Sequence, residues 1–390
     1  MTMHPAIRAC LVLLISAAGL AISLAAPATD RTSMAEQMPT EERLRKPGWW
    51  PTKSTFPREE FLGSAACVQC HASLVASQRE HAMARSTTPA ANSEILRSQS
   101  GRSFRMGSYA YQLTRSEDGT FHYSVTDGAQ SISGPFSWAF GTGKVGQSYL
   151  SEEKGTFREI RFSFFHTLQA FDVTPNQSLS GPSSLDKAAG RIVHASEVRR
   201  CFGCHSTAST TSDRFDPTRL ILGVTCEACH GPGANHVAVK KAGVEAGAGL
   251  IMNPGRLEPA DQVDFCGACH TAWWDVKLLG TTGLPNVRFQ PYRLENSRCW
   301  GKGDARLTCV ACHDPHRPLV RDAAFYDQRC MSCHVAAGAK PTADHPGRPC
   351  PKSTKDCVTC HMPKYEAPDM HFEYTDHQIR IAQPGAPFLD

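Results

Sequence analysis

Cys226-Glu-Ala-Cys229-His230 is one of seven occurrences of the pattern Cys-x-x-Cys-His in this 390-residue sequence, and this pattern decides the class of fold. The other six are Cys67-Val-Gln-Cys70-His71, Cys201-Phe-Gly-Cys204-His205, Cys266-Gly-Ala-Cys269-His270, Cys309-Val-Ala-Cys312-His313, Cys330-Met-Ser-Cys333-His334 and Cys357-Val-Thr-Cys360-His361. Together the motifs use 14 of the 17 cysteines. Such repetition indicates a purpose common to all seven motifs.

The spacing within each motif suits the covalent attachment of a porphyrin. Cysteines three positions apart share one face of a helical turn, so both sulfurs can reach the two vinyl groups of one haem. The adjacent histidine then lies beneath the ring and binds iron through an imidazole nitrogen. The sequence therefore predicts seven haems c, with the motif cysteines as attachment sites and the motif histidines as proximal ligands.

Two other uses of paired cysteines fit less well. Cys-x-x-Cys pairs often form half of a tetrahedral zinc site, but zinc does not require a histidine directly after every second cysteine. Disulfides within such pairs would be redox-labile rather than structural.

The N-terminus reads as an export signal over residues 1–28. Arg8 supplies the positive charge, Leu11 to Ala26 forms an apolar run, and small residues follow. An uncleaved anchor is the alternative, since the run approaches the shortest membrane span. We expect a periplasmic or extracellular protein without a transmembrane span in the mature chain.

The charge of the chain does not indicate binding to nucleic acid. The formal net charge is +4, and loss of Arg8 lowers it by one. Each ferric haem adds about −1, because its two propionates outweigh the single positive charge of the ferric porphyrin core, so the haem-loaded protein carries roughly −4.

The motifs are unevenly distributed along the chain. After a polar lead (29–60), we predict a first haem segment (61–86), a β-rich insert without motifs (87–195) and a six-haem domain (196–390). Within the insert, 108–113 and 120–125 alternate around Glu117-Asp118-Gly119, which predicts a hairpin, and 159–164 is another alternating run. The insert serves either as a docking module or as a spacer that packs on the first haem.

Six motifs between Cys201 and His361 leave little chain for an ordinary hydrophobic core. The porphyrins must therefore supply much of the buried apolar area. The predicted fold class is a multihaem cytochrome, with short α-helices and irregular loops around stacked haems and a small β-rich insert.

Nine further histidines remain after the leader as candidates for the distal side of the irons, which favours mostly bis-histidine ligation. Six are predicted ligands: His81, His236, His316, His345, His371 and His377. Three have a structural role as an equal alternative: His122, His166 and His194. Methionine ligation by Met83, Met252 or Met370 stays open, and so does one five-coordinate iron.

Position makes two of these predictions more specific. His316 lies three residues after His313, on the same side of the local helix, so we expect it to bind a neighbouring haem. His236 follows Gly231-Pro232-Gly233, a turn that could present it to an adjacent iron. The two cysteines outside the motifs in the mature chain, Cys299 and Cys350, either form a disulfide or stay as thiols.

Several segments resemble multihaem cytochromes of the cytochrome c-554 type. They are Phe61-Leu62-Gly63-Ser64-Ala65-Ala66-Cys67 followed by His81-Ala82, Gly223 to Gly233, Cys312-His313-Asp314-Pro315-His316, and Cys357 to Pro363. The resemblance covers about residues 61–90 and 195–380. It implies bis-histidine haems in stacked pairs and electron transfer in the periplasm. Seven motifs and the insert depart from the tetrahaem type, and the Cys-x-x-Cys-Lys site of multihaem nitrite reductases is absent from the sequence.

Three functions remain open on this reading. The leading hypothesis is an electron carrier that connects two other redox partners, namely a membrane quinol-oxidising complex and a terminal acceptor. The alternatives are an oxidoreductase acting on a small nitrogen or sulfur species at one open haem, and a structural subunit of a larger redox assembly.

Overall fold

The computed structural model describes residues 56–211, 214–244, 250–300, 306–336, 338–344, 346–367, 369–382 and 385–390. The predicted leader, most of the lead and His345 lie outside the described residues.

Strands dominate the region between the first and second motifs. They are β1 (Thr87–Pro89), β2 (Ser103–Met106), β3 (Tyr109–Arg115), β4 (Phe121–Thr126), β5 (Ser131–Pro135), β6 (Trp138–Phe140), β7 (Gly146–Glu153), β8 (Thr156–Ile160), β9 (Phe162–Phe165), β10 (Ala170–Val173) and β11 (Gly190–Val193). They form a four-stranded antiparallel sheet in the order β2-β3-β4-β5 and a seven-stranded sheet along β1-β6-β7-β8-β11, in which β9 also pairs with β7 and β10 with β9.

The two sheets share an aromatic core. Residues at alternate positions of β3 and β4 are buried because successive side chains of a strand point to opposite faces. Phe162, which is fully buried, contacts the ring of Phe136 at 6.0 Å and that of Phe171 at 5.2 Å between centroids. This core lets the segment from Thr87 to Val193, called the β region below, fold around its own side chains.

The predicted hairpin is confirmed, and one other strand prediction is wrong in detail. β3 and β4 pair antiparallel, with Gly119 at a φ of +88° in the connecting turn. The run 159–164 does not continue as one alternating strand. It divides at the buried Arg161, and all four residues of β9 are buried because that strand lies inside the core.

Short helices, separated by irregular segments, are found along the described chain. They are α1 (Val68–Glu80), α2 (Glu94–Gln99), α3 (Leu185–Ala189), α4 (Ala195–His205), α5 (Cys226–His230), α6 (Ala234–Lys241), α7 (Pro259–His270), α8 (Trp273–Leu279), α9 (Gln290–Glu295), α10 (Cys309–Cys312), α11 (Ala323–Met331) and α12 (Cys357–His361). Two small ribbons complete the structure: β12 (Ser206–Thr207) with β13 (Ile221–Leu222), and β14 (Lys364–Ala367) with β15 (Phe372–Thr375).

A buried ion pair holds the segment after β15 against α9. The Arg293 guanidinium donates from Nε to Asp376 Oδ1 at 2.8 Å and from Nη2 to Asp376 Oδ2 at 2.9 Å. Both side chains are completely buried. Ser297 adds a second connection, since its hydroxyl donates to the His377 carbonyl at 3.1 Å and accepts from the Ile379 amide at 2.8 Å.

The fold thus combines helices with several β-sheets, as the sequence predicts. The strands from Thr87 to Val193 coincide with the predicted insert. The domain boundaries and the stacking of haems stay predictions.

Candidate haem-binding sites

Most of the motifs lie on a helical turn. α5 and α12 each consist of one whole motif, α4 and α7 end on the second and fourth motifs, and α10 runs from Cys309 to Cys312. The first motif departs from this pattern, because His71 leaves helical geometry inside α1 at φ −123° and ψ 37°. The sixth also departs, since α11 ends at Met331 within it.

The structure brings the first cysteines of different motifs close together. Cys67 lies beside Cys226, Cys266 beside Cys309, and Cys330 beside Cys357, near enough to affect each other's pKa. Burial and the neighbouring thiol raise the pKa of Cys67 to about 11, and burial is the main cause that raises that of Cys357 to about 12. These contacts place the first motif beside the third, the fourth beside the fifth, and the sixth beside the seventh.

The second motif approaches the fourth. Cys204 Sγ lies 3.7 Å from the carbonyl oxygen of Ala268, inside the fourth motif. The aromatic end of the β region packs on the other side of α4, where Phe140 contacts the His205 ring edge-on at 5.3 Å between centroids. Phe202 of the same helix stacks on Phe215. The β region therefore forms one wall around the second motif.

Two motif histidines face a histidine from a distant part of the chain. The rings of His230 and His316 have centroids 6.0 Å apart and planes within 12° of parallel. The rings of His313 and His377 have centroids 6.1 Å apart, tilted by 39°. An imidazole bound through one nitrogen puts its ring centre about 3 Å from the metal, so two trans ligands are separated by about 6 Å. Both pairs fit a haem iron between them.

Backbone carbonyls hold the Nδ1 atoms of several of these histidines. Distances from Nδ1 are 2.7 Å to Met252 O for His230, 2.9 Å to Arg348 O for His334, 2.9 Å to Arg380 O for His361, 3.0 Å to Thr375 O for His377 and 3.3 Å to Ser86 O for His205. A carbonyl accepts from Nδ1–H, which leaves the lone pair on Nε2 for a metal. This arrangement suits iron ligation through Nε2.

Burial favours the neutral form of five imidazoles in and near the motifs. It lowers the pKa of His205, His230, His270 and His313, and it lowers that of His377 to about 4. Only a neutral imidazole has a nitrogen lone pair free for iron.

His81 approaches the fourth and fifth motifs. Burial lowers its pKa, and it is within electrostatic range of His270 and His313. Its Nδ1 accepts from the Met83 amide at 3.0 Å, unlike the Nδ1 atoms held by carbonyls. In this arrangement the Nε2 atom of His81 carries the proton, so iron binding requires the ring to turn or the proton to leave.

His371, one of the predicted distal ligands, makes its contacts with the β region. Its Nε2 lies 2.9 Å from Asp172 Oδ2 on β10, and its ring packs edge-on against Phe165 at 4.8 Å. The contact occupies a nitrogen that iron would use, so His371 ties the chain before β15 to the β region. The geometry argues against a distal role for this residue.

The local settings of His316 and of the other predicted histidines differ from one another. His316 lies in the turn after α10, not on a helix shared with His313, because α10 ends at Cys312. His236 lies half-buried on α6, and His345 is outside the described residues. His122 lies on β4 opposite Thr114, while the exposed His166 and His194 lie in a turn and at the start of α4.

Cys299 and Cys350, the cysteines outside the motifs among the described residues, are not joined in a disulfide. Cys299 lies close enough to Cys330 to affect its pKa. Across the described residues, no group of three or more His, Cys, Asp or Glu side chains is gathered as for a bare metal ion.

Sequence reasoning missed two carboxylates beside the motifs. Glu227 occupies a variable position inside the third motif, and Asp327 lies three residues before the sixth. Both accept hydrogen bonds from the backbone of another motif segment. No spacing rule identifies them, because their partners are distant in sequence.

One family of known proteins matches part of the chain. Residues 168–231 match the family described as cytochrome c554 and c-prime. This segment contains the second and third motifs, so it is cytochrome c-like in sequence as well as in the placement of its cysteines and histidines.

Comparison with whole proteins adds one structural likeness. No curated protein matches the sequence. Among solved structures, the chain is similar to the outer cell wall cytochrome OcwA, with a TM-score of 0.46 and 14% identity over 82% of this chain and 80% of that chain. No helix in the described ranges is both long and apolar enough to span a membrane.

Proposed function

We propose that this protein is a multihaem cytochrome c that transfers electrons through seven covalently bound haems, most of them with two histidine ligands. The observation that carries the proposal is the His230–His316 pair, with parallel rings 6.0 Å apart. Met252 fixes the proton of His230 on Nδ1, away from the metal side. These residues come from different motif segments, and iron ligation accounts for both their spacing and their orientation.

The same reasoning assigns further ligands. His316 serves the third motif and His377 the fifth, on the ring distances of 6.0 and 6.1 Å. His81 lies near His270 and His313. Because His313 is already paired with His377, we assign His81 to the fourth motif. A haem iron with two histidines cycles between its ferric and ferrous states by one electron and keeps no site for substrate.

The cysteine contacts support rapid transfer between haems. Each first cysteine would attach one edge of a porphyrin, so first cysteines that lie side by side would hold the haems of their two motifs close together. The first and third, fourth and fifth, and sixth and seventh motifs form such pairs, and the second lies beside the fourth. The protein would thereby accept electrons from one redox protein and deliver them to another. We propose a periplasmic or extracellular location, a membrane quinol-oxidising complex as the donor and a terminal acceptor.

One observation favours a second candidate function. The contact between His371 and Asp172 engages the Nε2 atom of one of the predicted distal ligands. An iron without a sixth ligand could bind a small nitrogen or sulfur species and act on it, as in a multihaem oxidoreductase. The two functions differ in the spin state of the oxidised haems.

Haem content and electron paramagnetic resonance test both functions. We expect the mass of the purified protein to exceed that of the chain by seven haems, with low-spin signals dominating the oxidised spectrum. His316→Ala and His377→Ala should each convert one haem to high spin, whereas His122→Ala, on β4, should change nothing. Fewer haems, or low-spin spectra in both variants, would refute the assignments. A high-spin signal in the unmodified protein that responds to nitrite or hydroxylamine would favour the enzyme.

A further inference from the structure

Glu227 connects the first and third motifs through a buried carboxylate. Its Oε2 accepts from the Gly63 amide at 2.7 Å, and its Oε1 accepts from Leu62 at 2.9 Å and Gly233 at 2.8 Å. Leu62 and Gly63 lead into the first motif, whereas Glu227 itself lies inside the third. The side chain is only 1% exposed. All three donors are neutral backbone N–H groups.

Asp327 has the same relation to the sixth and seventh motifs. It lies on α11, one turn before Cys330, and accepts from the Asp356 amide at 2.7 Å and from the Cys357 amide at 2.8 Å. These amides open α12, which is the seventh motif. Burial opposes ionisation of Asp327, but its hydrogen bonds to Cys357 and Asp356 hold its pKa below the ordinary value. Asp327 is therefore a second buried anion between two neighbouring motifs.

The charge of each carboxylate reaches the sulfurs that attach the porphyrins. The charge of Glu227 contributes to the raised pKa of Cys67, and that of Asp327 contributes to the raised pKa of Cys330 and Cys357. In each case the two first cysteines lie side by side. Asp327 therefore acts on both members of the pair formed by the sixth and seventh motifs, and Glu227, which itself lies in the third motif, acts on the first cysteine of the first motif.

We propose that Glu227 and Asp327 are positioning residues that lock the first motif to the third and the sixth to the seventh, and that their charges lower the reduction potentials of the haems in those pairs. This inference rests on the proposed function, since it requires haems at these motifs. Reduction adds one electron to a ferric iron and forms no bond. A fixed negative charge nearby stabilises the ferric state, which carries one more positive charge than the ferrous state.

Spectroelectrochemical titration of the fully loaded protein tests the inference. In Glu227→Gln, we expect the reduced-to-oxidised ratio of two haems at a fixed potential to rise on the order of tenfold, as for loss of one charge at roughly 10 Å and an effective dielectric constant of about 20. Asp327→Asn should shift two different haems by a similar amount. The double variant should show both shifts. Asp186→Asn, on the surface of the β region, is the control and should shift none.

A conservative variant separates the effect of the charge from the effect of the hydrogen bonds that join the two motifs. Glu227→Asp keeps the charge but shortens the side chain, so the potentials should stay near those of the unmodified protein while resistance to guanidinium falls. If Glu227→Gln does not accumulate, Glu227→Asp and Asp327→Asn still provide the test. Unchanged or lowered potentials in Asp327→Asn, or a raised potential in Glu227→Asp, would overturn the inference. Haem content below seven by mass would instead contradict the proposed function.

Discussion

Replacing Arg293 by methionine should destabilise the protein strongly, because it leaves Asp376 buried without its charge partner. The two side chains are fully buried and joined by two hydrogen bonds of 2.8 and 2.9 Å. Removing one member of such a pair costs about 3–5 kcal/mol, since the remaining carboxylate keeps its desolvation penalty. The guanidinium also lies 4.3 Å from the centre of the Phe388 ring, and that contact is lost with it.

The local consequence of this substitution should appear at a histidine. Asp376 precedes His377, whose ring faces His313 at 6.1 Å. With the ion pair broken, we expect His377 to be held less firmly, so that a fraction of one haem becomes high spin. Ser297, which bonds the His377 carbonyl at 3.1 Å, limits the displacement. Guanidinium unfolding followed by circular dichroism gives the stability, and electron paramagnetic resonance gives the spin state.

Two further variants make this prediction refutable. Arg293→Met combined with Asp376→Asn should recover part of the lost stability, because no charge then stays buried without a partner. Arg288→Met is the matched control, since its pair with Asp369 at 3.2 Å is partly exposed and should contribute about 1 kcal/mol or less. The reasoning fails if Arg293→Met costs no more than Arg288→Met, or if the double variant is less stable than the single one.

Three other outcomes follow from the same structure. Because folding lowers the pKa of Asp327, this carboxylate stabilises the fold at pH values above its ordinary pKa of 3.8, and the contribution is lost as the pH falls through the lowered pKa. The difference in stability between the unmodified protein and Asp327→Asn should therefore shrink between pH 6 and pH 3 in guanidinium titrations. His371→Asn should loosen the contact with Asp172, seen as faster proteolysis near β15, without producing a new high-spin haem; a new high-spin signal would restore His371 as a ligand. Phe162→Ala should destabilise the β region by about 3–5 kcal/mol, whereas Leu179→Ala, at a side chain 67% exposed, should change stability by about 0.5 kcal/mol or less.

Local patterns in the sequence anticipated the parts of the fold that depend on neighbouring residues. The turn at Gly119 and the alternation on either side of it predict the β3–β4 hairpin, because both the turn and the register are set within a few positions. The motif spacing likewise predicts the helical turns of α5 and α12. Alternation failed at β9, where all four residues are buried, since burial on both faces depends on what the rest of the chain supplies.

Of the candidate haem-binding sites, the sequence predicts only the cysteines and histidines of the motifs. The motif cysteines and histidines are marked by their spacing, but the partner of His230 lies 86 positions further along the chain, at His316, and only folding brings them together. Glu227 and Asp327 escape sequence reasoning for the same reason, because their hydrogen-bond donors belong to distant segments. A distal role for His371 stays a prediction, and its Nε2 atom lies against Asp172 of the β region, a contact that no sequence pattern predicts.

The contacts between first cysteines have a consequence for how the protein must be assembled. Cys67 lies beside Cys226, Cys266 beside Cys309, and Cys330 beside Cys357. In an oxidising compartment, two adjacent thiols can lose two electrons to an oxidant and join as a disulfide. Each such bond would block two of the proposed attachment sites at once, and none would lie within a motif. The proposed function therefore requires that these thiols stay reduced until each has received its haem.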